Sequence, residues 1–106
     1  MAVSDRAWGS ITQADYTLEQ WARACLIHLE AGRPTAKGMH KLPVRMPDGV
    51  VSRGGAYAAA SVLAGGRGGV DAPPEKKRTA ARELVSIYRN QLEEDPPESL
   101  VRLARD

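Results

Sequence analysis

Phenylalanine is absent from this 106-residue sequence, and Trp8, Trp21, Tyr16, Tyr57 and Tyr88 are its only aromatic residues. With so little aromatic bulk, alanine and leucine have to supply most of a core, which suits helices that approach closely. Cys25 is the one cysteine, which excludes an internal disulfide and fits a reducing compartment. No apolar run approaches the roughly 20 residues of a membrane span. The opening MAVSDRAWGS has neither the basic start nor the apolar stretch of a secretion signal, so a protein of the cytoplasm is expected. The length suits one small domain over residues 1–106, with residues 1–14 as a flexible N-terminal arm.

The net charge of +2 conceals an uneven distribution. Residues 1–30 hold four acids and two bases, residues 31–89 hold eleven Lys or Arg against four acids, and residues 90–106 return to acid excess. A basic middle between acidic ends suits contact with phosphate or with an acidic protein surface.

Periodicity predicts three to four helices. Thr17 and Gln20 have capping-box spacing, and Leu18, Trp21, Ala22, Cys25 and Leu29 follow as one apolar stripe that Gly32 and Pro34 end. Ser52 caps a second helix over residues 53–64, with Ala56, Ala59, Ala60 and Leu63 on one face. Gly54 and Gly55 weaken its first turn by about 1 kcal/mol each relative to alanine, which implies close packing there. A third helix over residues 73–91 carries Ala80, Ala81, Leu84, Ile87 and Tyr88, and Asp71 is its expected cap. Asp95, with Pro96, Pro97 and Glu98, starts a last helix that buries Leu100, Val101, Leu103 and Ala104. Between the first two, residues 46–49 (Met-Pro-Asp-Gly) have turn chemistry, joining Leu42, Val44 and Met46 to Val50 and Val51 as an edge hairpin. The expected fold is mainly α: a compact bundle of three to four short helices with a small β-hairpin. In it the stripe of Leu18, Trp21, Cys25 and Leu29 faces those of the second and third helices. Trp21→Ala then costs on the order of 3–5 kcal/mol if the ring is fully buried.

The stretch LAGGRGGVDAP, from residue 63, looks at first like a phosphate cradle. A phosphate-binding loop follows a strand and ends in Gly-Lys-Ser/Thr, and this stretch has neither. It reads better as a hinge: Gly65 or Gly66 stops the helix, Val70 pins the loop to the core, and Arg67 is displayed at the tip.

No catalytic constellation emerges. His28 and His40 are the only histidines, Cys25 reads as a small buried hydrophobe, and the acids gather at helix starts. No catalytic, cofactor-binding or metal-binding residue is therefore expected. The basic residues leave two alternatives. Lys41, Arg45, Arg53 and Arg67 suit docking on a protein partner, and Lys76, Lys77, Arg78 and Arg82 suit salt-sensitive, non-specific contact with nucleic acid. The stacking aromatics of a single-strand binder are missing.

The order Lys41-Leu42-Pro43, Asp48-Gly49, an alanine-rich helix, LAGGRGGVDAP, Tyr88 and Pro96-Pro97-Glu98 resembles a short module of tailed-phage head-morphogenesis proteins. That module accompanies head-maturation protease or capsid-related domains, and the likeness spans roughly residues 16 to 100. It implies a non-enzymatic virion accessory or assembly factor that docks on a capsid or other head protein. Its place would be the bacterial host cytoplasm and then the virion. The protease domain itself is absent from this sequence, so no catalytic residue is carried over. A homo-oligomer stays open.

Overall fold

The Thr17 hydroxyl accepts from the Gln20 amide at 3.1 Å while the Gln20 side chain accepts from the Thr17 amide at 2.8 Å, so the capping box forms. The structure, a computed structural model, describes residues 3–66 and 69–105. Within them four α-helices and two small open sheets make a mainly helical domain. Helix α1 spans Leu18–Ala24, α2 Arg53–Leu63, α3 Pro74–Ile87 and α4 Glu98–Arg105. Strands β2 (Cys25–His28) and β3 (His40–Pro43) pair antiparallel, and β1 (Val3–Ser4) pairs parallel with β4 (Val51–Ser52).

The first helix is shorter than its stripe. It stops at Ala24, and Cys25 turns to extended backbone, φ −90 and ψ 151. Residues 25–28 (Cys-Leu-Ile-His) are a short apolar run that a helix or a strand accommodates equally well, and pairing with β3 decides for the strand. Leu26 and Ile27 then enter the core in place of the expected helical face. Trp21 is only half-buried, so the cost expected of a fully buried tryptophan does not apply.

The hairpin is present in reduced form. Gly49 N donates to Met46 O at 2.8 Å, Met46 N to Val50 O at 2.7 Å and Ser52 N to Val44 O at 2.8 Å, with one bridge between Arg45 and Val51. Leu42 sits at φ +64, a conformation that strains a bulky residue by on the order of 1–3 kcal/mol, and its side chain is buried.

Ser52 caps α2 through its hydroxyl, 3.0 Å from the Gly55 amide, and Gly65 stops the helix with φ +102. Val70 packs against the core, as a hinge requires, while Arg67 lies outside the described residues. The expected caps Asp71 and Asp95 are not used. Pro73 occupies the cap position of α3, and the Pro97 carbonyl receives the first amide bonds of α4. With proline at those sites the side-chain caps are displaced outward. Helix α3 runs on through a π-turn, Tyr88–Leu92, and ends at Glu93 with φ +56. Lying against α2, α4 and β2, it is the central element.

Residues 3–10 lie against the start of α2 and β4. Beyond β1, Trp8 lies on the start of α2, where a Cβ at Gly54 would stand 3.0 Å from Trp8 Cβ and one at Gly55 3.2 Å from its ring. The two weak glycines of α2 thus make room for an indole. Gly55→Ala should lower stability in urea denaturation despite the better helix propensity. In a Trp8→Ala background the same change should raise it by up to about 1 kcal/mol. Equal stabilisation in both backgrounds would remove this account.

Candidate functional site

The register of β2 and β3 sets His28 opposite His40, a juxtaposition no local motif announces. Their Nδ1 atoms are 2.8 Å apart, and His40 Nε2 is 2.9 Å from the Glu30 carboxylate. Glu30 in turn accepts from the Thr35 amide at 2.9 Å and from the Thr35 hydroxyl. His40 is 5% exposed, so both its nitrogens need partners, and both have them.

Proton placement follows from the acceptors. An ionised Glu30 can only accept, so His40 carries hydrogen on Nε2. In the neutral pair His40 Nδ1 is then the acceptor, His28 donates from Nδ1, and His28 Nε2 keeps a bare lone pair. The bonds from Thr35 hold the Glu30 carboxyl down to about 2, assisted by His40. Burial pulls the His28 imidazole below its ordinary 6.5, His40 and Lys76 add to this, and Glu83 opposes it.

Both histidines border a cleft of about 690 Å³, walled on one side by Glu30, Gly32 and Pro34 of the loop between β2 and β3. Cys25 also lines it, with its thiol pushed up to about 12 by burial, so it stays protonated and unreactive at neutral pH. Among the described residues no hydroxyl or thiol hydrogen-bonds to either histidine. The arrangement therefore holds an oriented base with no nucleophile attached. No three His, Cys, Asp or Glu side chains among the described residues come together to hold a metal ion.

The expected docking residues are dispersed. Lys41 is half-buried on β3. Arg53 is committed within the fold, paired with Asp5 at 2.8 Å and with Glu94, which also accepts from Tyr57. Arg45 is nearer to a site: it lines the cleft, and Glu83 at 4.0 Å is its only acidic partner among the described residues. Arg23, which the sequence did not single out, stands with Arg45 on the divide between this cleft and a smaller hollow beside the turn at residues 46–49. Among the described residues its Nε reaches only the Glu19 carbonyl of its own helix, at 3.4 Å.

The basic residues of α3 do not all share a face: Arg78 and Arg82 lie four positions apart on one side, and Lys76 and Lys77 lie away from them. Lys76 lies beside Leu26 and His28, whereas Arg82 donates to the Ala104 carbonyl of α4 at 2.8 Å. Lys77 and Arg78 are half-buried, and Arg78 Nε is buried without a partner. No protein-family model, curated protein or solved structure matches the chain.

The two lowered pKa values fix the acid side of the stability profile. Below the ordinary 6.5 of histidine the unfolded chain takes up a proton that folded His28 resists, so stability should fall as the pH drops. Below 4.5 the unfolded chain also protonates Glu30, which the fold keeps ionised to about 2, and a second loss adds to the first. Thermal unfolding midpoints measured against pH should decline in two stages, and His28→Gln should remove the upper one. A flat profile across both ranges would refute the proton assignment.

Proposed function

We propose that this chain is a non-enzymatic, phage-encoded assembly module that docks on a capsid or other head protein. The likeness of its motif order to head-morphogenesis modules supplies the setting. The observation that carries the docking mode is that Arg23 and Arg45 both line the two neighbouring hollows, while the one ion pair either makes among the described residues is Arg45 with Glu83 at 4.0 Å. Two guanidinium groups with a single long ion pair between them suit a carboxylate-bearing segment of a partner, because arginine presents a planar fork of donors and is favoured at interface hot spots. The motif residues themselves are largely spent on the fold: Pro43 pairs in β3, Gly65 stops α2 and Tyr88 is buried. That division leaves the cleft and its arginine ridge as the surface through which a partner is chosen.

The test is co-sedimentation of the purified protein with assembling and mature heads of the phage that encodes it. Wild type should travel with the heads at physiological salt. Replacing both Arg23 and Arg45 by Glu should weaken retention by about ten-fold or more, since like charges would then face the partner's carboxylates. Absence of the wild-type protein from both kinds of head would defeat the proposal.

A further inference from the structure

We propose that Glu30, His40 and His28 form an acid-sensitive latch on the loop that walls the cleft, closed while the two facing Nδ1 atoms share a single proton and released when each carries its own. The inference concerns the chain's own loop and does not depend on what docks beside it. At 2.8 Å between two ring nitrogens there is room for one hydrogen, so one nitrogen must donate and the other accept. The neutral pair satisfies this, with His28 donating. A first added proton goes to the bare Nε2 of His28, and the bond between the Nδ1 atoms survives with either ring bearing the charge. A second added proton has only the shared Nδ1 pair left to occupy, and two N–H groups then point at each other. The pair therefore accepts one proton and must part to accept two.

Parting matters because of what the pair joins. His28 ends β2, His40 begins β3, and residues 29–39 between them make the loop. Other bonds tie that loop down: Leu29 N to Met39 O at 2.7 Å, the Trp21 indole N–H to the Lys37 and His40 carbonyls at 3.0 and 3.2 Å, and Lys37 Nζ to the Gln13 and Tyr16 carbonyls. The Leu29 and Trp21 bonds involve His40 or residues adjacent to the two histidines, so release should loosen both together.

The charged neighbours set its response. Glu30 faces His40 at 2.9 Å. From α3, Glu83 favours and Lys76 opposes charge on His28. Glu75 of α3 lies beside His28 as well. Around the cleft stand Arg45 from the segment after β3, Arg23 and Glu19 from α1, and the neutral Cys25 thiol. Glu30 itself stays ionised to about 2 and so remains an acceptor for His40 as the pH falls.

Nitrogen-15 spectra of the histidine rings and of the Trp21 indole, recorded on the whole protein from about pH 7.5 to about pH 4.5, test the latch in a window that spans ordinary imidazole titration. At the upper end His40 should show hydrogen on Nε2 and His28 on Nδ1. As the second proton enters, the Trp21 indole signal should shift and protection of the Leu29 amide should drop about ten-fold or more, the equivalent of one pKa unit of coupling. His28→Gln, which cannot take up a proton, should lose this response to acid. Two fully protonated rings with Trp21 and Leu29 unchanged would overturn the proposal, as would an equal acid response in His28→Gln. If that variant fails to fold, coincidence of the wild-type loop change with the second protonation decides the matter, and a loop change that tracks any other titration refutes it.

Discussion

Ala56, Ala59 and Ala60 on α2 and Ala80 and Ala81 on α3 are all buried, and their methyl groups set how near the backbones of this domain can come. A core without phenylalanine fills its volume by bringing elements together. Helix α3 meets α2, α4 and β2, so its alanines are shared spacers for several interfaces. A larger side chain at Ala80 or Ala81 would act on more than one contact, where overpacking costs typically about 1–3 kcal/mol. Around this closely spaced centre lie the larger apolar groups, Leu84, Ile87, Leu92 and Leu100, all fully or nearly fully buried.

The strands depend on that helical frame. Two pairs of short strands do not stand alone in water, and β2 has α3 against it. Its Leu26 and Ile27 are anchored in the core, which fixes the register with β3 and so determines that His28 meets His40 rather than a neighbour. The polar chain at the cleft is thus a consequence of apolar packing next door. Burial of His40 then demands that both ring nitrogens be satisfied, and Glu30, held by Thr35, completes the set.

Much of the fold was legible because it is written locally. The Thr17 and Ser52 caps, the turn at residues 46–49, the stop at Gly65 and the core faces of α2 and α3 each rest on residues a few positions apart. The glycine pair at the start of α2 pointed to a close approach, though not to Trp8 as the group that makes it. What failed to show was decided at long range. The helical stripe through Cys25 and Leu29 continues on paper, and only pairing with β3 breaks it after Ala24. The histidines, read singly, gave no catalytic constellation. Their meeting needs the strand register, which depends on the boundary that the stripe concealed. Arg23 was passed over for a related reason, since it comes beside Arg45 only when β3 leads the chain back past α1.

The seating of residues 3–10 on β4 and α2 has a further consequence, for the order in which the molecule comes together. Asp5 and its partner Arg53 are 48 residues apart, and β1 finds β4 across a similar span of chain. During synthesis this segment leaves the ribosome well before residues 51–55, so nothing exists for it to bind until the Ser52 cap and the glycine turn of α2 have been made. Closing so long a loop costs entropy before any contact repays it. On that ground residues 3–10 should be among the last of the described residues to settle, with Trp8 closing over a helix start that has already formed.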